Sequence, residues 1–202
     1  MVSYDSESGL WACRLWWMLR AVGIPAAVLD GGWNAWLACG GAVETGAPGT
    51  GRDDDGERLA ESDVLALEVR SDTWTDLPDV EALVAGEQPG VLVCALSPDV
   101  FAGVTPSRYA RRGHIPGSRN VPARSLLDAE GRFLDPARLG AALGTLATAD
   151  EPVVAYCGGG ISASVLALGL VLVGKEDVSV YDGSLDEWSA DPNLPLVLGE
   201  RA

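Results

Sequence analysis

The sequence is poor in basic residues, histidine and cysteine, and each shortage removes a class of function. Lysine and arginine number 14 against 29 aspartates and glutamates, a formal net charge of −15. That leaves no basic stripe to displace counterions from a phosphate backbone, so nucleic acid is not an expected partner. The four cysteines, Cys13, Cys39, Cys94 and Cys157, contain no CxxC pair and no zinc spacing, so no metal and no cofactor is expected. So sparse a set suits a reduced, cytoplasmic chain with one reactive thiol at most, the other cysteines being small buried apolar residues. The acidic run Asp53–Glu57 fits no recognised calcium loop and reads as solvated linker. Long apolar runs are also missing. Val165–Val173 is too short to span a bilayer, and Met1–Asp5 has no signal-peptide pattern, so no membrane association is expected.

What remains is nearly half hydrophobic, enough to build a core. Apolar periodicity and turn residues predict a strand ending near Asp5, a helix over Leu10–Val22, a strand at Ala26–Asp30 and a helix opening at Trp33–Leu37. Composition then shifts to Gly, Pro, Thr, Asp and Glu, which marks a linker over 41–63. Beyond it come candidate strands at Val64–Val69, Val91–Leu96, Asn120–Pro122, Val153–Tyr156 and Val178–Tyr181. Helices are expected from Asp76 to about Gly86, from Asp135-Pro136 to about Leu146, from Ile161 to Gly174 and through Trp188. Strands alternating with helices imply an α/β fold, a parallel sheet with helices on both faces.

One stretch concentrates the chemistry: Val153-Val154-Ala155-Tyr156-Cys157-Gly158-Gly159-Gly160-Ile161-Ser162. A buried strand delivers a cysteine into three glycines at a helix N-terminus. Unsatisfied N–H groups and the positive helix end favour negative charge there, as on a thiolate. Glycines let several N–H groups turn inward as an anion nest. The same pattern also suits a buried structural cysteine beside a glycine turn.

The chain also repeats. Without a gap, Val2 falls on Val154, Tyr4 on Tyr156, Val28 on Val180, Asp30-Gly31 on Asp182-Gly183 and Trp36 on Trp188. Asp5 then takes the place of Cys157, so the second unit is the one with a nucleophile. In the second unit several strands precede the cysteine strand, whereas in the first none does. The first therefore reads as a partial copy over 1–40, and 64–202 as a complete domain expected to fold alone. A half-sheet exposes an edge and an apolar face, so the first unit should dock on the second, self-associate, or stay partly molten.

Four motifs in order resemble the rhodanese family, specifically its two-domain thiosulfate and 3-mercaptopyruvate sulfurtransferases. They are Trp16-Trp17 with Leu29-Asp30-Gly31-Gly32-Trp33; Gly113-His114-Ile115-Pro116-Gly117 with Asn120-Val121-Pro122; Tyr156-Cys157 with its glycines; and Val180-Tyr181-Asp182-Gly183 with Glu187-Trp188. The resemblance implies an inactive first domain, here truncated at its N-terminus, and a catalytic second one. It implies transfer of a sulfane sulfur from a small donor to Cys157, as a persulfide, and on to a thiol or cyanide acceptor. The N–H groups of Gly158, Gly159, Gly160, Ile161 and Ser162 would stabilise the anionic sulfur. The Ser162 hydroxyl is read mainly as a helix cap. His114 is read as a structural residue of its loop, and Trp16-Trp17 as packing between core and domains.

The chain departs from that family in instructive ways. The position six after the cysteine, where cysteine phosphatases of the same fold carry arginine, is Ala163, which argues against phosphate chemistry. Thiosulfate-preferring members commonly have basic residues just after the cysteine, and mercaptopyruvate-type members often a hydroxyl two positions on; here Gly158 and Gly159 leave the donor open. An Asp-x-Arg element with a further Arg reads Cys94, Leu96 and Val100 here. Among Arg108, Arg111 and Arg112, Arg108 is the substitute considered for donor binding, against the reading that all three are surface arginines. Two alternatives stand beside the enzyme: an inactive or crippled fragment, and a persulfide-carrying module without donor selectivity.

Overall fold

The computed structural model describes residues 1–46, 67 and 69–199. Most of the linker, the acidic run and the candidate strand 64–69 lie outside the described residues. The edge position in the sheet is held by a strand that periodicity does not reveal, β3 (Trp74–Thr75).

The first unit runs β1 (Val2–Ser3), α1 (Leu10–Ala21), β2 (Ala27–Val28) and α2 (Gly32–Ala38). Its two strands pair in parallel, Val2 opposite Ala27. The second unit runs β3, α3 (Leu77–Val84), β4 (Val91–Cys94), α4 (Pro98–Phe101), β5 (Arg119–Asn120), α5 (Pro136–Leu143), β6 (Val153–Tyr156), α6 (Ile161–Leu172), β7 (Val178–Tyr181) and α7 (Ser184–Trp188). Its five strands are all parallel, in the order β3-β7-β6-β4-β5. Local chemistry explains several boundaries. Asp76 and Asp135 accept N–H bonds as N-caps of α3 and α5, and each helix carries proline in its first turn. β6 is buried at all four residues, as expected of a central strand covered on both sides.

Pleating separates two cores. Val93, Val153, Ala155, Val178 and Val180 face α5 and α6, whereas Leu92, Cys94, Val154, Tyr156 and Tyr181 join Val80, Phe101, Ile115, Leu185 and Trp188. The first of these cores also contains Cys13, Trp16 and Trp17 of α1, because α1 lies against α6. The indole N–H of Trp17, 1% exposed, donates to the Thr73 carbonyl at 3.2 Å, and the Arg70 N–H donates to the Ala21 carbonyl at 2.8 Å. The two units thus share a core, which gives Trp16-Trp17 the packing role expected of them. The other side of the first unit's sheet is an open apolar groove of about 540 Å³ lined by Val2, Tyr4, Leu29, Trp33, Trp36 and Val43.

Cys39 is a correction. It is exposed, not buried, because it sits past the last turn of α2, where none of the described residues covers it; its thiol donates to the Trp36 carbonyl at 3.2 Å. Among the described residues no helix is long and apolar enough to cross a membrane.

Candidate active site

Cys157 follows β6, so it lies at the carboxyl end of a central strand, where open α/β sheets place their ligands. Its side is closed by tight backbone approaches. A Cβ at Gly158 would overlap the Tyr109 hydroxyl. One at Gly160, which has φ +74° as N-cap of α6, would overlap both the Asp182 carboxylate and the Arg14 guanidinium. Cys157 itself is 2% exposed.

The loop is held from the start of α7. The Ser184 hydroxyl donates to the Tyr181 carbonyl at 2.7 Å and accepts the N–H groups of Cys157 at 3.1 Å and Gly160 at 3.3 Å. The N–H of Leu185 bonds the Cys157 carbonyl at 3.1 Å, and that of Asp186 the Gly158 carbonyl at 2.9 Å. With the carbonyls of Cys157 and Gly158 bonded to α7 and that of Gly160 to α6, the loop leaves the N–H groups of Gly158, Gly159, Ile161, Ser162 and Ala163 without a hydrogen-bond partner among the described residues. The Gly160 N–H is the exception to the expected nest, since Ser184 occupies it. Ser162 does not cap: the N-cap is Gly160 in a left-handed conformation, and Ser162, already inside the helix, makes no capping bond. The hydroxyl that binds the helix start comes from Ser184 instead.

The first unit offers an internal comparison. The Asp5 carboxylate accepts four backbone N–H bonds, from Glu7 (2.7 Å) and Gly9 (2.9 Å) on one oxygen and from Trp11 and Ala12 (both 2.8 Å) on the other. The Trp33 N–H bonds the Asp5 carbonyl just as that of Leu185 bonds the Cys157 carbonyl, so Asp5 and Cys157 occupy matching places. The helices depart from the ungapped register by one residue. Their left-handed N-caps are Gly9 and Gly160, so the loop preceding α1 is one residue longer.

The other candidates separate clearly. Arg108 pairs with Asp186 at 2.6 Å beside Gly159, its side chain 70% exposed, so it stands at the loop. Arg111 is structural: its guanidinium donates to the carbonyls of Trp188, Ser189, Asp191 and Leu194. His114 is fully buried, stacked on Phe101 with ring centroids 3.7 Å apart, and its Nδ1–H donates to the Phe101 carbonyl at 2.9 Å. Burial lowers its pKa, and its buried Nε2 has no partner among the described residues, so the ring is neutral. Cys94 and Cys13 are held as thiols. Burial pushes each up to about 12, with the charges of Asp5 and Asp30 adding to the effect on Cys13. Burial, then the proximity of Cys157, raises the pKa of the Tyr109 phenol.

Ser184, Arg14, Tyr109 and Asp186 were not singled out by sequence reasoning. A signal existed for Ser184, which follows the repeated Asp-Gly turn. None existed for Arg14, which lies in the other unit.

Comparison with known proteins identifies relatives of the chain. A rhodanese-like domain model matches residues 99–191, which include Cys157 and Ser184. SseB of Mycobacterium tuberculosis, provisionally named a thiosulfate sulfurtransferase, is 35% identical over 201 residues, covering 98% of this chain and 67% of that protein. The 3-mercaptopyruvate sulfurtransferase of Rattus norvegicus is 34% identical over 197 residues, covering 93% and 62%. Tum1 of Saccharomyces cerevisiae superposes with a TM-score of 0.78 at 22% identity, over 100% of this chain and 69% of that one. An anaerobic ergothioneine biosynthesis enzyme of Chlorobium limicola, in complex with trimethyl histidine, superposes with 0.78 at 23%, over 98% and 51%. These two structures share the fold.

Proposed function

The chain belongs to the rhodanese family, related to the thiosulfate and 3-mercaptopyruvate sulfurtransferases, and on that premise we propose that it is a sulfurtransferase working through a Cys157 persulfide. The Cys157 thiolate attacks the outer sulfur of the donor. A sulfur–sulfur bond forms to Cys157 as the donor's bond to that sulfur breaks and its electron pair leaves with the rest of the donor; from thiosulfate the departing group is sulfite. An acceptor thiolate or cyanide then attacks the outer sulfur, and Cys157 leaves as a thiolate. No external oxidant is needed, because the sulfur moves at constant total electron count.

One observation carries the reading: five N–H groups of the Cys157 loop lack a partner among the described residues, whereas the matching loop of the first unit is filled by the Asp5 carboxylate. A loop of this build accommodates an anion, and both the thiolate and the persulfide are anions. Gly158, Gly159, Ile161, Ser162 and Ala163 would supply those donors, with Arg108 at the entrance. The test is peptide mass analysis after incubation with thiosulfate or 3-mercaptopyruvate. One sulfur should be added on the Cys157 peptide, and Cys157→Ser should abolish both the mass gain and transfer. A label on Cys13, Cys39 or Cys94 instead would overturn the assignment.

A second reading, a persulfide carrier without donor selectivity, is favoured by Arg108 being already paired with Asp186 while Leu96 and Val100 replace the family's donor-binding arginines. Comparable kcat/KM for thiosulfate and 3-mercaptopyruvate, both low, would favour it over the selective enzyme.

A further inference from the structure

Arg14 belongs to α1 of the first unit, yet its guanidinium reaches the cysteine loop of the second. Its Nη1 lies 2.6 Å from Asp182 Oδ1, with the two side chains 19% and 54% exposed. Its Cζ stands 4.8 Å from the centroid of the Trp74 ring. The contact with Asp182 is ionic rather than a directed hydrogen bond, and the buried Nη1 has no hydrogen-bond partner among the described residues. Both members of the pair touch the space beside Gly160, the N-cap of α6, so closely that no side chain fits there. Asp182 in turn follows β7 and precedes Gly183-Ser184, and the Ser184 hydroxyl holds the N–H groups of Cys157 and Gly160.

We propose that Arg14 is a positioning residue for the Cys157 loop: by holding Asp182 against Gly160 it fixes the turn that presents Ser184 to the loop. The first unit then contributes more than core. It supplies a cation, clamped on Trp74, that sets the geometry of the nucleophile loop in the second unit. This role rests on the sulfur-transfer reading for its kinetic consequences, but the geometry of the loop can be read without turnover. A merely stabilising surface pair would act differently, since breaking a partly exposed ion pair costs little global stability.

The test uses the full chain with Arg14→Gln, Arg14→Lys, Asp182→Asn and the double variant Arg14→Gln/Asp182→Asn. Two readouts are taken: thiosulfate:cyanide transfer kinetics, and the rate of Cys157 alkylation by iodoacetamide followed on its peptide. Misplacing the reacting group should lower kcat about tenfold in Arg14→Gln and in Asp182→Asn, with KM changed less than about twofold. Alkylation of Cys157 should slow in both, and the double variant should be no worse than the poorer single one, because the two residues act as one device. Arg14→Lys, which keeps the charge but loses the guanidinium over the Trp74 ring, should fall in between. Multiplying losses in the double variant would overturn the proposal. So would a rise in KM alone, which would make Arg14 a donor-binding residue, or a loss of kcat that only follows a loss of Tm. If the unaltered chain transfers no sulfur, the sulfur-transfer reading fails while alkylation still decides: slowed alkylation supports the positioning role and unchanged alkylation refutes it. Should Arg14→Gln fail to fold, Asp182→Asn, at the more exposed partner, carries the same decision.

Discussion

The Ser184 hydroxyl accepts the backbone N–H of Cys157 at 3.1 Å and that of Gly160 at 3.3 Å, so one side chain from α7 pins both ends of the loop that carries the thiol. Ser184 holds φ +51°, a conformation uncommon for a residue with a Cβ, and gives its own proton to the Tyr181 carbonyl. Ser184→Ala would leave two buried N–H groups without an acceptor, at a cost of about 1–3 kcal/mol. Ser184→Gly relieves the backbone but loses the same hydroxyl. Both variants should therefore lose kcat for sulfur transfer by at least about tenfold, while Ser184→Gly recovers part of the lost stability. Retained kcat in Ser184→Gly would mean that the backbone alone shapes the loop.

The thiols should differ sharply in reactivity. Cys13 and Cys94 are buried and pushed up to about 12, so neither offers a thiolate at neutral pH. Cys39 is exposed but lies beyond the C-terminal end of α2, without a nest. Brief iodoacetamide treatment should label Cys39 and Cys157 and spare the other two. Prior loading with thiosulfate should change labelling at Cys157 alone.

The shared core puts the expectation that 64–202 folds independently to a direct test. Cys13, Trp16 and Trp17 are buried with the α6 residues that such a fragment would expose. Each fully buried large apolar side chain contributes about 1.5–3 kcal/mol. The fragment 64–202 should thus melt well below the full chain and bind more of a hydrophobic dye. Trp17→Ala in the full chain should cost about 3–5 kcal/mol in denaturant unfolding. Equal midpoints for fragment and full chain would show that α1 adds nothing to the core.

Buried, neutral His114 predicts an acid-sensitive stability. Its pKa is lowered in the folded protein, so the unfolded chain binds its proton first as the pH falls. The contribution is complete above the unfolded value of about 6.5 and declines as the pH drops below it toward the folded value. Protonation would place a second N–H at the buried, unpartnered Nε2. Urea midpoints measured from about pH 7.5 down to about pH 5.5 should fall in the native chain. They should fall less in His114→Phe, which keeps an aromatic ring beside Phe101 but cannot titrate. Parallel slopes would assign the acid sensitivity elsewhere.

The sequence by itself determined the α/β class, the place of Cys157 after a buried strand, the glycine turn into α6 and the caps at Asp76 and Asp135. Each is written in a few neighbouring residues: a continuous apolar run, a turn that only glycine permits, an aspartate before a proline. Local pattern served less well where an element is short. β3 holds two residues and has no period to detect, and the cap assigned to Ser162 falls to Gly160 and Ser184. Tertiary structure alone decided that the Asp5 carboxylate fills its own loop, that Ser184 holds the cysteine loop, that Arg14 reaches Asp182 and that the units share a core. Those facts depend on how α1 settles on α6 and how α7 returns to β6. Asp5 closes on N–H groups only two to seven residues away, through a loop fold that no periodicity marks; the other partners are distant in sequence, and a contact between distant residues is set by the packing of whole elements, which no short stretch of residues encodes.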